Sequence, residues 1–146
     1  MKVTILQKAP GEEDEIIIKC DNLDPNLISL VNNIKSSNSK MALYKDSQIC
    51  LVDQKEILYF ESVDDIVFAY TDSDVFETKS KLYQLEEDLP QRTFFRANKS
   101  VIVNLDYIKK LSPAFSGRFE ATLNNGYKVI ISRNYVSKLK EILDIN

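Results

Sequence analysis

The 146-residue chain contains no histidine and no tryptophan, and only three glycines and two cysteines. Without imidazole there is no base for a Ser or Cys triad, no near-neutral general base of the usual kind and no His ligand for zinc. Cys20 and Cys50 are too far apart for a zinc knuckle. Both lie in strand-like apolar runs, where a buried thiol is expected, and a reducing compartment argues against a disulfide between them. Three glycines leave no phosphate-cradling loop. No apolar run reaches the ~18 residues of a membrane-spanning helix, and the N-terminus lacks the basic-then-apolar layout of a signal peptide, so a cytoplasmic chain without membrane insertion is expected.

The acidic residues do not assemble a site either. Asp72-Ser73-Asp74 begins like a calcium loop, but Phe76 and Tyr83 stand where oxygen ligands are needed, so a hairpin turn is expected. Asp64-Asp65 and Glu86-Glu87-Asp88 read as solvated acids, since nothing beside them in sequence would shift their titration. No catalytic residue, metal or cofactor is therefore expected, and the chain does not read as an enzyme.

The charge that is present is unevenly placed. Within a net charge of −3, residues 90–146 carry ten Lys or Arg against four Asp or Glu, while residues 1–89 carry nine against eighteen. A basic third inside a mildly acidic chain suits one face held against a polyanion.

Local patterns predict a mainly β protein with short helices, α+β overall. Residues 2–6 and 15–20 read as two strands split by Ala9-Pro10-Gly11 and an acidic turn. Asp24 then caps a helix whose Leu27, Leu30, Val31 and Ile34 share one face. That makes a small ββα unit over residues 1–40, closed by a polar linker at 35–40 and expected to serve dimerisation or control rather than DNA contact. Over residues 41–146, β-branched and aromatic runs predict strands at 49–52, 57–60, 66–70, 75–78, 94–96, 100–103, 108–111, 118–123 and 127–131. A short helix is expected with Ser80 as its cap, Leu82, Leu85 and Leu89 as its apolar stripe and Pro90 as its stop. Asn124-Asn125-Gly126 predicts a type I′ hairpin turn, and a last helix starts at Ser132, with Val136, Leu139, Ile142 and Leu143 on one face. No two helices are joined by a short turn, so a helix-turn-helix is not expected. Any groove would be entered by loops.

Two clusters carry polar chemistry beside strands: Phe94-Phe95-Arg96-Ala97-Asn98-Lys99-Ser100-Val101-Ile102-Val103-Asn104 and Ile131-Ser132-Arg133-Asn134-Tyr135. Arginine offers a donor fork that fits guanine, and asparagine a donor–acceptor pair that fits adenine. Together with Ile57-Leu58-Tyr59-Phe60-Glu61-Ser62, Ile108 and the Asn124-Asn125-Gly126 turn, this pattern resembles the LytTR-type DNA-binding domain of bacterial response regulators. The resemblance runs from about Met41 to Ile145. It is to stand-alone members, since residues 1–40 are too few for a receiver domain.

The resemblance implies an elongated β-domain that places loops in major grooves of double-stranded DNA, as a transcriptional regulator. A homodimer on repeated half-sites is expected, because one small module reads few bases. Carried over by position, Asn98 and Arg133 are the base-contacting residues. Arg96, Lys99, Ser100, Asn134 and Tyr135 are phosphate candidates, with Arg96 equally able to pair with an acid on the sheet and Ser132 explained by capping. The acidic turn at Asp64-Asp65 is expected to sit off the DNA, because carboxylates repel phosphate. The residues alone also fit a protein–protein interaction module, and they leave room for a regulatory partner of the N-terminal unit.

Overall fold

The computed structural model describes residues 1–36 and 40–146. Its element order is α1 (Pro25–Ser36), β1 (Lys40–Lys45), β2 (Gln48–Asp53), β3 (Tyr59–Val63), β4 (Ile66–Tyr70), β5 (Val75–Thr78), α2 (Leu82–Asp88), β6 (Phe94–Arg96), β7 (Val101–Asn104), β8 (Ile108–Pro113), β9 (Phe119–Leu123), β10 (Lys128–Ile131) and α3 (Arg133–Ile142). The strands form an antiparallel sheet in the order β2-β1-β5-β4-β3-β7-β6 and a second in the order β10-β9-β8.

The larger sheet is covered on both faces, and the alternation of its strands decides what each face meets. Phe60, Val67, Ala69, Phe94 and Ile102 pack with Leu82 and Leu85 of α2 and with Leu89, which caps it. Their neighbours Tyr59, Phe95, Val101 and Val103 point the other way and pack with Ala121, Leu123, Val129 and Ile131 of the smaller sheet and Leu139 of α3. Each of the Val, Leu, Ile and Phe side chains among them contributes about 1.5–3 kcal/mol on burial, so the two cores dominate the fold. Between the sheets, Tyr59 is stacked on Tyr70, its cross-strand partner, at 4.3 Å and on Tyr127 at 4.4 Å. Buried Asn104 ties the strand end together, donating to the carbonyl of Ile57 at 2.9 Å and accepting from the amide of Asp106 at 3.0 Å.

Several local expectations need correction. Residues 2–6 and 15–20 form no strands, so the ββα unit reduces to α1 preceded by irregular chain. Two short strands with no third to pair and no core beneath them lack the burial that would hold a sheet. α1 does form, with Asp24 accepting from the amide of Leu27 at 2.9 Å, but Leu30 of its expected stripe stays exposed. The linker is shorter than expected: α1 continues through Ser36 and β1 starts at Lys40, while residues 37–39 lie outside the described residues. Cys20 is exposed and Cys50 half-buried, and both are free.

Turn chemistry also differs. The Asn124-Asn125-Gly126 loop is not type I′, because only Gly126 has positive φ (88°), and Gly126 donates to Leu123 at 2.9 Å. Three residues, rather than two, separate β9 from the returning chain, which suits a type I turn closed by a left-handed glycine. The turns with positive φ at both central residues are Asp46-Ser47 and Asp64-Asp65. The cap of α2 falls on Lys81 rather than Ser80, and the Gln84 side chain accepts from the Lys81 amide at 2.8 Å.

The tyrosine stack gives a pH dependence. Tyr59, Tyr70 and Tyr127 all have hydroxyls that ionise above the ordinary value of 10.0, first because burial disfavours the phenolate and then because of neighbouring charge, including Glu61. Above that pH the unfolded chain holds fewer tyrosine protons than the folded one, so stability falls as pH rises. Urea midpoints measured from pH 8 to 11 are expected to drop beyond about pH 10, and Tyr127→Phe should make the drop shallower.

Candidate nucleic-acid interface

The two polar clusters, distant in sequence, meet at one end of the larger sheet. The side chain of Asn98 donates to the carbonyl of Ile130 at 2.8 Å, and the amide of Ser132 donates to the carbonyl of Ala97 at 2.8 Å. These two bonds dock the loop at residues 97–100 onto the start of α3. Ser132 does occupy the N-cap position of α3, yet its side chain makes no capping bond, so the expected capping role is replaced by this backbone link.

Arg96 shapes the loop from the opposite side. By strand alternation it follows Phe94 onto the α2 face, where its guanidinium meets the Glu86 carboxylate at 2.9 Å. Its remaining groups donate to the carbonyls of Asn98 at 2.7 Å and Lys99 at 2.8 Å. Only 17% of the side chain is exposed, and three of its donors are committed within the fold. Asn98 is similarly engaged, because its oxygen also accepts from the amide of Ser100 at 2.8 Å. It retains one N–H and one lone pair.

The other candidates face outward. Lys99, Ser100, Arg133 and Asn134 are exposed. Among the described residues, the side chains of Lys99, Arg133 and Asn134 have no hydrogen-bond or ion-pair partner. Tyr135 packs its ring edge-on against Phe95 at 6.3 Å. A cation at a helix start is mildly disfavoured by the helix dipole, and among the described residues no ion pair offsets this for Arg133.

One positioning residue was missed by sequence reasoning. A single 3-10 turn, Phe115–Gly117, joins β8 to β9 and touches α3. Gly117 has φ 75°, and a Cβ there would lie 3.2 Å from both Cγ and Cδ of Arg133. The Arg133 stem thus runs across the bare face of Gly117. Its positive φ favours glycine and a side chain there would press on the Arg133 stem, a preference invisible without the fold. Beside it, Phe115 is 93% exposed.

The acidic turn is not remote. Val101 pairs with Glu61, and the amide of Ser62 donates to Ser100 at 2.8 Å, which puts the Asp64-Asp65 turn at the same end as the docked loop. Lys81 reaches this turn, donating to the Asp65 carbonyl at 2.9 Å.

Comparison with known proteins fits this geometry. A profile of the LytTr DNA-binding domain matches residues 47–144. The chain belongs to the LytTR DNA-binding family. An uncharacterized HTH-type transcriptional regulator of Staphylococcus aureus (strain NCTC 8325 / PS 47) is 31% identical over 147 residues, with 99% of each chain covered. The sensory transduction protein LytT of Bacillus subtilis (strain 168) is 29% identical over 139 residues, covering 93% of this chain and 58% of LytT, so the chain spans little more than half of that relative. A LytTr DNA-binding domain from Bacillus cereus superposes with TM-score 0.68 at 27% identity, covering 72% of this chain and 96% of the other. Among the described residues the LytTR chain has no helix-turn-helix, since strands separate its helices. No helix among them is long and apolar enough to cross a membrane.

Gly117→Ala is expected to destabilise the fold by about 1–2 kcal/mol, from the left-handed backbone a side chain must then adopt. It should also shift the Arg133 stem. Thermal unfolding measures the first effect, and nuclear magnetic resonance shifts at Arg133 measure the second.

Proposed function

We propose that this LytTR chain is a sequence-specific transcriptional regulator that inserts β-domain loops into the major groove of DNA, as a dimer on repeated half-sites in the cytoplasm. The observation that carries this reading is the docking of the loop at residues 97–100 onto the start of α3, which brings Lys99, Ser100, Arg133 and Asn134 together with their side chains pointing outward. A preformed cluster of a guanidinium, an ammonium and short polar groups suits a phosphate-flanked base edge.

In this reading Arg133 contacts a base, its stem held on Gly117. Lys99, Ser100, Asn134 and the Tyr135 hydroxyl contact phosphates. Asn98 has two parts to play, bracing the loop through its existing bonds and offering its remaining N–H and lone pair to a base edge. Arg96 acts mainly as the strut beneath the loop, with its other N–H groups left for phosphate. The Asp64-Asp65 turn, at the same end, disfavours phosphate and can only accept from an amino group such as that of cytosine. A protein-interaction role without DNA is supported by one observation, the exposed Ile49 and Leu51 on edge strand β2.

A binding selection on random duplexes, followed by titration on the best site and on random DNA, tests the reading. Arg133→Ala should cost about 1–3 kcal/mol on the selected site with non-specific binding and stability unchanged. Asn98→Ala should lose specific binding and also stability, by about 1 kcal/mol, because the Ile130 and Ser100 groups lose a partner. Lys99→Ala should weaken all sequences alike and flatten the slope of log affinity against log salt by about 1 per bound chain. Equal losses on specific and random DNA for all three would sink these roles.

The acidic turn makes a separate test. Replacing Asp64 and Asp65 together by Asn keeps residues that tolerate positive φ and removes two charges, so non-specific affinity at low salt should rise. Unchanged affinity would mean that the turn lies clear of the duplex.

A further inference from the structure

Residues 1–23 hold two arms joined by the turn Ala9-Pro10-Gly11-Glu12. The Glu12 amide donates to the Ala9 carbonyl at 3.2 Å, the Glu12 carboxylate accepts from the Ala9 amide at 3.2 Å, and Lys8 pairs with Asp14 at 2.8 Å. Beyond this apex the arms do not pair: no ladder hydrogen bond joins them. Instead they flank a cleft of about 810 Å³, with Lys2, Thr4 and Leu6 of one arm and Glu15, Ile17 and Lys19 of the other among its lining. Beyond the apex the backbone N–H and C=O groups of the arms have no partner in each other, and Val3, Ile5, Ile16 and Ile17 are exposed, Ile17 by 68%.

The turn explains why the arms stay apart. Pro10 in the second position and Gly11 at φ 87° in the third are the pattern of a type II turn. Its twist splays two strands rather than closing a two-residue hairpin. Pairing within the chain from the Ala9 and Glu12 closure would match Ile5 with Ile16 and Val3 with Ile18, but it would also set Leu6 opposite Glu15 and Lys2 opposite Lys19, an apolar–acid pair and a like-charge pair.

We infer that the second arm pairs antiparallel with the same arm of a second copy, about a two-fold axis through Ile17. The segment Glu15-Ile16-Ile17-Ile18-Lys19 is complementary to itself in that register. Glu15 falls opposite the partner's Lys19, Ile16 opposite the partner's Ile18, and Ile17 opposite the partner's Ile17. An isologous contact of this kind closes after two subunits, and it covers unpaired strand edges that proteins rarely leave open. This gives a physical basis to the dimer on repeated half-sites proposed above. It does not depend on any DNA contact, so sedimentation without DNA tests it separately from the DNA reading.

Sedimentation equilibrium on the full chain is expected to show a dimer. Glu15→Lys or Lys19→Glu alone sets like charges opposite each other twice across the axis, and each should weaken the dimer about tenfold or more. Mixing the two variants one to one should restore it, because each then meets the opposite charge in the other chain, and Glu15→Lys with Lys19→Glu in one chain should restore it as well. Circular dichroism checks that every variant is folded. A wild-type monomer at all concentrations, undiminished dimers of the single variants, or a mixture no tighter than either variant alone would each overturn the assignment, and pairing of the arms within one chain would account for the last.

Discussion

The larger sheet has to bury both of its faces, and most of what the protein does at its polar end follows from that constraint. Phe60, Phe94 and Ile102 are committed to the α2 side, and Tyr59, Phe95 and Val103 to the side of the smaller sheet. A slip of one residue in β3, β6 or β7 would exchange the two sets and expose both cores to mismatched neighbours, so the register is held strongly. Arg96 therefore projects toward Glu86, Ala97 turns into the opposite core, and the next residues leave the sheet from a defined point in a defined direction.

That precision lets a short loop keep a fixed shape. A loop of four residues has little packing of its own, yet here its backbone is held from both sides, by the Arg96 guanidinium on one and by Ile130 and Ser132 on the other. The side chains that supply this bracing are the buried or half-buried ones, Arg96 and Asn98. Those left over, Lys99, Ser100, Arg133 and Asn134, are the exposed ones. The division separates residues that position from residues free to contact a partner. It also means that a residue type suited to base reading, such as asparagine, can be spent largely on the protein's own backbone.

Residues 1–23 show the opposite condition. Their apolar residues, such as Val3, Ile5 and Ile16 to Ile18, are of the types that fill the strands of the domain, but no second face, third strand or core lies against them. The same residue types that make a sheet in one part of the chain leave open arms in another. The difference lies in what is available to cover it, which in the domain is the rest of the chain.

The strands at 66–70, 75–78 and 94–96 were legible residue for residue, because alternation, β-branched residues and flanking turn signals all agree there. The Leu82, Leu85 and Leu89 stripe and the Asp24 cap were legible for a similar reason, since each depends on residues within one or two helical turns. The grouping of basic and polar residue types at residues 96–100 and 132–135 needs only the sequence, because it rests on residue type alone. The sequence could not show that Ala97 and Ser132 share a hydrogen bond, that Arg96 chooses Glu86, that Gly117 is bare to seat Arg133, or that the Asp64-Asp65 turn lies beside Ser100. Each of these joins segments far apart in the chain, and only the pairing of β3 with β7 and the packing of the second sheet on the first bring them together. Local patterns determined which elements exist and what chemistry they carry, since the energies behind them act over a few residues. The tertiary structure decided which polar groups brace the loop and which are left for a partner, since that depends on neighbours supplied from elsewhere in the chain.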